Sequence, residues 1–396
     1  MKISKASLDS PLKCLFLMLF IHPAQSCISS ILNFYGIPSG YLMTLLYLCT
    51  FIYGIWIIIK INIKKIDFII YILIILFYMI SYNFATDDAK LYFWSSDMKV
   101  MYLFYMPLSI FLVSRIYNWE NLFKNRVFLV YSDLLIALSL VSKVLTDDWN
   151  NYMSYSYNLL PFWCIVLIAA LYNKKHLQWI FVLISIVEGI IYGSRGAIIW
   201  LIICGVSIFF VQIFNKKNGI KIFFRYATIL IISFGVFWIV SPKIMSSPLV
   251  QESYILRRIT YGNLTVSSGR TELSIECRNI ISRMGFNIYG LFYDRTVLSN
   301  GWYSHNIIYE VLISFGWFLV ILFLCLIFGM IISTFFGQTE KNKIVVIFLL
   351  SSFFLRYFLS GSIFDEANFL ILIGGIISLN RIKKNNRIRL QDKGRE

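Results

Sequence analysis

The chain has 396 residues, of which 59% are hydrophobic and only 14% are charged, and its mean hydropathy is +0.73. A soluble domain carries about 45–50% apolar and about 25% charged residues, so this composition excludes a soluble globular protein, a disordered chain and a disulfide scaffold. The net charge of +16 does not indicate nucleic-acid binding, because the basic residues stand in short runs between apolar segments, as topology signals do. The sequence predicts an all-α, polytopic membrane protein.

Twelve apolar segments are candidates for membrane-spanning helices, since one crossing needs roughly 20 apolar residues. In chain order they lie at 12–34, 41–59, 66–84, 100–116, 127–145, 157–172, 177–192, 196–214, 222–241, 309–336, 344–361 and 367–380. The first is the weakest because His22-Pro23 interrupts it, and Ala24-Gln25-Ser26 also fits the cleavage site of a signal peptide. Cleavage there would leave the orientation of the later segments unchanged.

Basic residues accumulate in alternate loops, which the positive-inside rule places in the cytoplasm together with both termini. These loops hold Lys60, Lys64 and Lys65; Arg115, Lys124 and Arg126; Lys174 and Lys175; Lys216, Lys217 and Lys221; Lys341 and Lys343; and the tail from Arg381 to Arg395. The other side receives the acidic pairs Asp87-Asp88, Asp147-Asp148 and Asp365-Glu366. The predicted organisation is therefore nine helices over 1–241, a periplasmic loop with short helices over 242–308, and three helices with a basic tail over 309–396.

The predicted periplasmic loop is polar and rich in arginine. It carries Lys243, Arg257, Arg258, Arg270, Arg278, Arg283 and Arg295. Long loops escape the charge rule, so this charge is either incidental to a solvated domain or part of an anion-binding surface, because the guanidinium fork matches phosphate oxygens.

Three polar motifs fall on the predicted outer side. The first is the turn Gly193-Ser194-Arg195-Gly196-Ala197, where small residues allow a close backbone approach; a snorkelling arginine at a helix end is the simpler interpretation. The second is Ser267-Ser268-Gly269-Arg270, followed by apolar residues spaced as in a short amphipathic helix that a serine would cap. The third is Ser304-His305-Asn306, which leads into the tenth predicted crossing.

His305 is the one histidine of three that stands beside the arginine-rich segment, since His22 and His176 lie elsewhere. A lone histidine is more often structural, but at this place an acid or base acting at neutral pH is an equal alternative. Ionisable residues inside apolar segments are site candidates by default. Asp133, Glu188 and Arg356 qualify, and Glu188 would share a face with Arg195 if its helix ran on that far.

Motifs for nucleotide and metal chemistry are missing from the sequence. It contains no GxxxxGK[ST] loop, no HExxH, no DxD pair and no CxxC pair, and most of its seven cysteines lie inside apolar runs. We therefore predict no metal, no cofactor and no disulfide framework. A transferase of this kind would need an activated donor that already resides in the membrane.

The order of these motifs resembles the O-antigen polymerase and O-antigen ligase superfamily. The resemblance covers about 177–336: the GSRGA turn, the Gly-Arg pair at Arg270 in one large late loop, and then SHNIIYEVLISFGWFLVILF from Ser304 onward. The family's glycine pair in that last helix is reduced here to Gly316 alone, so the motif does not assign a subfamily.

What the resemblance implies is metal-independent glycosyl transfer at the periplasmic face of a bacterial inner membrane. The donor would be an oligosaccharide on undecaprenyl diphosphate, drawn from the membrane lipid, and a chain-length regulator protein would be a partner. The family's essential residues map onto Arg195, Arg270 and His305. Candidate substrate-binding residues around them are Arg257, Arg258, Arg295, Tyr303 and Glu188.

Three functions remain open at this point. In a polymerase the acceptor is another lipid-linked repeat unit, and in a ligase it is lipid A–core. Length and the bias towards Ile, Phe and Tyr favour a polymerase, by association only. The rival from another class is a flippase for the same lipid-linked units, although the sequence lacks the paired, Gly- or Pro-interrupted segments typical of transporters.

Overall fold

The computed structural model describes residues 10–38, 40–61, 63–146, 152–215, 270–284, 287–299 and 303–393, and every regular element within them is helical. In chain order these are α1 (Ser10–Phe34), α2 (Gly40–Lys60), α3 (Lys65–Phe84), α4 (Asp87–Tyr92), α5 (Ser96–Val100), α6 (Asn121–Lys124), α7 (Arg126–Thr146), α8 (Tyr152–Leu171), α9 (Gln178–Tyr192), α10 (Arg195–Asn215), α11 (Arg270–Met284), α12 (Asp294–Val297), α13 (Ile307–Phe336), α14 (Glu340–Phe353) and α15 (Ala367–Lys393). After α5, π-helical and 3₁₀ turns carry the chain on to Arg115.

The helices confirm an all-α membrane protein. A helix occupies all or part of each apolar segment identified above except 222–241, which lies outside the described residues. Seven helices among the described residues are long and apolar enough to cross a membrane, and two shorter apolar ones are Thr44–Lys60 and Gln178–Tyr192. On α3, Ile69, Ile72 and Leu73 are each at least half exposed, which suits a lipid-facing surface.

Two predicted boundaries are wrong. The segment at 344–361 does not form one helix: α14 ends at Phe353, and a 3₁₀ turn at Leu355–Phe358 follows. The turn brings the charged Arg356 side chain inward to a carboxylate partner, Glu366, instead of leaving it on an apolar helix. At the other end of the chain, α15 continues well past residue 380, to Lys393.

One end of the bundle, the basic end, gathers charged residues from distant parts of the chain. Asp67, in the first turn of α3, accepts hydrogen bonds from Arg115 and from Arg381 of α15, and all three side chains are largely buried. Nearby in the sequence, Glu120 pairs with Lys341 at 3.1 Å. Loops that the basic pattern assigned to one side therefore do meet at one end.

The opposite end, called the site end here, joins the other set of loops. The Tyr78 hydroxyl, eleven residues along α3 from Asp67, donates to the Phe364 carbonyl at 2.6 Å. The Ile363 amide donates to Glu310, in the first turn of α13, at 3.1 Å. Because helices advance 1.5 Å per residue, these contacts lie roughly 16 Å from the basic end along α3.

Gly316 breaks α13 at a position that only glycine tolerates well. Its φ of 70° and ψ of 179° fall in a region that is essentially reserved for glycine. The break releases the Ser314 carbonyl, which accepts hydrogen bonds from the amides of Tyr289 and Gly290 at 3.0 and 2.9 Å. The kink therefore attaches the segment 287–299, just before α13, to the bundle.

We expect Gly316→Ala to destabilise the protein by about 1–3 kcal/mol, the usual cost of such a backbone conformation for a residue with a side chain. The matched control is Gly329→Ala on the same helix, where an added Cβ meets nothing within 4 Å. The measurement is the thermal unfolding midpoint of each purified variant in detergent, which should be lower for Gly316→Ala than for Gly329→Ala. Equal midpoints would contradict this role of Gly316.

Candidate active site

Arg270 is the first residue of α11 and faces the bundle. The helix is held by Leu273, Cys277 and Ile281, which are buried at helical spacing. One Arg270 guanidinium nitrogen lies 3.1 Å from the Met153 sulfur of α8, a weak acceptor. Among the described residues no carboxylate lies within ion-pairing distance of Arg270.

His305 and Asn306 lie directly before α13 and make different contacts. The Asn306 side chain accepts the Ile308 amide at 2.9 Å and so caps the helix, and it donates to the Phe358 carbonyl at 3.1 Å. His305 has a left-handed φ of 55°, which turns its ring onto Tyr303, 4.2 Å away between ring centroids. Asn306, and not His305, therefore caps α13.

Burial, and to a smaller degree the charge of Arg270, lowers the pKa of His305 to about 4. The ring is therefore neutral at physiological pH. It can donate and accept hydrogen bonds, but a base with so low a pKa removes protons poorly near pH 7.

Arg195 begins α10, directly after a sharp turn at Gly193 and Ser194. Helix α9 ends at Tyr192, so it does not run on to Arg195 and the expected common face with Glu188 is absent. The turn is tied to α8, because the Ser194 amide donates to the Ser156 hydroxyl at 3.1 Å. Gly196 packs so closely on the Tyr157 hydroxyl that an added Cβ would clash with it.

Tyr157 interacts with both Arg356 and Arg270. The Arg356 guanidinium lies over its ring at 4.6 Å, and both Arg356 and Arg270 interact electrostatically with its hydroxyl. Since the turn before Arg195 packs on the same residue, the structure brings Arg195, Arg270 and Arg356 to one region of the site end.

Arg356 is 7% exposed and its guanidinium binds the Glu366 carboxylate at 3.1–3.2 Å. Its Nε is buried without a hydrogen-bond partner among the described residues. Arg356 was visible in the sequence only as a charge in an apolar segment, and Glu366 only as half of an acidic pair. Nothing in the sequence signalled that the two bind each other.

A cavity of about 540 Å³ opens beside this pair. Its wall contains Arg356, Glu366 and Asp365, the tyrosines Tyr47, Tyr105, Tyr157 and Tyr303, and the polar residues Asp97, Ser154, Asn158 and Asn368. Its volume falls within the range of about 300–1,000 Å³ that is usual for ligand sites.

Arg295 lies apart from the cavity wall, in a buried charge cluster. Its guanidinium binds Asp365 at 2.5 Å and Asp294 at 3.2 Å, with Glu310 at 3.9 Å. Asp294 also accepts the Ser304 amide at 3.0 Å. The cluster joins α12, the start of α13 and the loop before α15, and so it positions the segment that carries Tyr303 and His305.

We expect Arg295→Met to lower stability by about 3–5 kcal/mol, because it leaves buried carboxylates without their cation. Arg278→Met, on the exposed face of α11, is the control and should fold normally. Membrane-inserted protein and thermal midpoints are the measurements. A stable Arg295→Met protein that has lost only substrate binding would restore the substrate-binding role.

Glu188 is fully buried and accepts hydrogen bonds from the hydroxyls of Ser139 and Tyr155. It thus joins α7, α8 and α9. Arg257 and Arg258 lie outside the described residues. The substrate-binding roles of these three residues stay predictions.

No group of three or more His, Cys, Asp or Glu residues that could hold a metal ion occurs in the described part of the chain. No family model, no curated protein and no solved structure matches the sequence or the fold.

Proposed function

We propose that the chain is a membrane glycosyltransferase that joins undecaprenyl-diphosphate-linked repeat units, as an O-antigen or related surface-polysaccharide polymerase does. One observation carries the proposal: Arg270, Arg356 and His305 converge with the turn before Arg195 at one end of an apolar helical bundle, beside a cavity with a polar and aromatic wall.

The negative charge of the leaving group accounts for the arginines at the site end. When the glycosidic carbon leaves the lipid diphosphate, negative charge grows on the phosphate oxygen. Fixed guanidinium groups in a site shielded from water stabilise such charge strongly, and each can bind two oxygens. Arg270 and Arg195 are assigned to the diphosphate, and they supply the positive charge without a metal ion.

The neutral ring of His305 is assigned to hydrogen bonding with the substrate. The ring contacts Tyr303, a residue of the cavity wall. It is also close enough to Arg270 for the arginine's charge to lower its pKa. His305 therefore stands between the diphosphate and the cavity, where the reacting hydroxyl has to arrive.

The orientation of the bundle in the membrane is inferred from the distribution of basic residues. We propose that the basic end faces the cytoplasm and the site end the periplasm, in a bacterial inner membrane, because lysine and arginine accumulate in cytoplasmic loops.

This orientation predicts accessibility to a membrane-impermeant maleimide in intact spheroplasts. In a cysteine-free background, Arg283→Cys, on the exposed face of α11, should be labelled, and Lys175→Cys, in the exposed loop before α9, should be labelled only after permeabilisation. The reverse pattern would invert the proposed topology.

Deletion in the native host, followed by electrophoresis of its lipopolysaccharide, tests the function and separates its rivals. A polymerase deletion leaves core carrying a single repeat unit. A ligase deletion leaves bare core and accumulated lipid-linked polymer. A flippase deletion leaves lipid-linked single units on the cytoplasmic side. An unaltered profile would contradict all three.

A further inference from the structure

The cavity at the site end has a mixed wall. Four tyrosines, two asparagines and three carboxylates line it together with apolar residues such as Met18, Leu19 and Ile371. Carboxylates and amides accept hydrogen bonds from hydroxyl groups, and ring faces pack on the apolar faces of a sugar. The polar and aromatic part of this wall therefore fits a carbohydrate.

A buried arginine forms part of the cavity wall. Arg356 is 93% buried and lines the wall, and its Nε has no partner among the described residues. Its guanidinium, held by Glu366, places a fixed positive charge in the cavity wall.

Two carboxylates of the wall are held differently. Asp365 is bound by Arg295, which belongs to the buried cluster that anchors the loop. Glu366 is bound by the cavity residue Arg356 and its side chain is 26% exposed. An added Cβ at Gly361, where φ is 89°, would lie 2.7 Å from the Glu366 carboxylate, so the loop leaves room for this side chain.

We propose that this cavity is the acceptor subsite of the transferase, and that Glu366 accepts the proton of the sugar hydroxyl that attacks the donor. The inference rests on the proposed function. Burial raises the pKa of the Glu366 carboxyl, although the charge of Arg356 opposes that rise, and this makes Glu366 a better proton acceptor than His305.

The proposed step transfers the glycosyl group from the lipid diphosphate to the acceptor hydroxyl. The acceptor oxygen forms a bond to the anomeric carbon of the donor as the bond from that carbon to the phosphate oxygen breaks. The bonding electrons leave with the lipid diphosphate, which gains one negative charge facing the arginines. The hydroxyl proton moves to Glu366 and then to water, so the carboxylate is restored.

The test uses purified full-length protein in liposomes and, as the probe, lipid-linked repeat units extracted from the deletion strain. We expect Glu366→Gln to lower the rate of transfer by about 10²–10⁴-fold, the usual contribution of a positioned general base. Binding of the radiolabelled units should stay at the wild-type value, since the amide can still contact Arg356, whereas the thermal midpoint should fall because Arg356 loses its ion-pair partner. Glu272→Gln, on the exposed surface of α11, should transfer at the wild-type rate.

Three outcomes would overturn the inference. If Glu366→Gln transfers within tenfold of the wild type, Glu366 is not the proton acceptor. If it loses binding together with transfer, its carboxylate acts in substrate binding and not as the proton acceptor. If the wild-type protein itself makes no glycosidic bond from these units, the proposed function fails and the inference fails with it.

Discussion

Replacing Arg270 with lysine is expected to slow transfer nearly as much as replacing it with alanine, by about 10²–10³-fold, the usual cost of removing a donor that stabilises transition-state charge. Lysine keeps the charge but loses the planar fork that binds two phosphate oxygens. Initial rates of polymer formation by the purified variants, normalised to inserted protein, are the measurement. The same result is expected for Arg195.

Arg278→Lys is the matched control for Arg270→Lys. Arg278 lies on α11, two turns after Arg270, and its side chain is exposed, so its substitution should leave the rate unchanged. An Arg270→Lys protein with full activity would mean that only charge is required there.

Replacing His305 with alanine is expected to lower the rate of transfer by about 10²-fold or more, in the range for loss of one preorganised hydrogen-bonding group. His305→Gln should retain most of the activity, because the amide is neutral and both donates and accepts hydrogen bonds, as the neutral imidazole does. Transfer rates of the two variants, with the amount of inserted protein beside them, are compared.

A different pair of results would change the role of His305. If glutamine is as damaging as alanine while both proteins are inserted normally, proton transfer by the imidazole is required despite its pKa of about 4. If both variants are lost from the membrane, His305 acts in packing against Tyr303.

The helices were predictable because the bilayer imposes a simple rule. Each crossing needs a long apolar run, so hydropathy located α3, α7, α10 and α13 to within a few residues. Hydropathy did not predict the helix correctly where an apolar segment contains a charged residue. The segment at 344–361 breaks before Arg356, because that side chain is paired with Glu366 inside the bundle.

The site could be predicted only in part. Motifs pointed to Arg195, Arg270 and His305, and the structure brings them to one end. The sequence could not reveal which charges pair, because the partners are far apart in the chain: Arg295 binds Asp365 across 70 positions. Loop charge made Arg295 a substrate-binding candidate; the structure shows it buried among carboxylates, and its role in substrate binding stays a prediction.

Bond formation by the purified protein alone tests glycosyl transfer most directly. Liposomes containing the protein and lipid-linked repeat units from the deletion strain are incubated with EDTA, and the lipid-linked products are separated by length. We expect longer chains to appear, with one undecaprenyl diphosphate released for each bond formed, and we expect Arg270→Ala to abolish both. Units that stay unchanged in length, or that only move from one leaflet to the other, would contradict a glycosyltransferase.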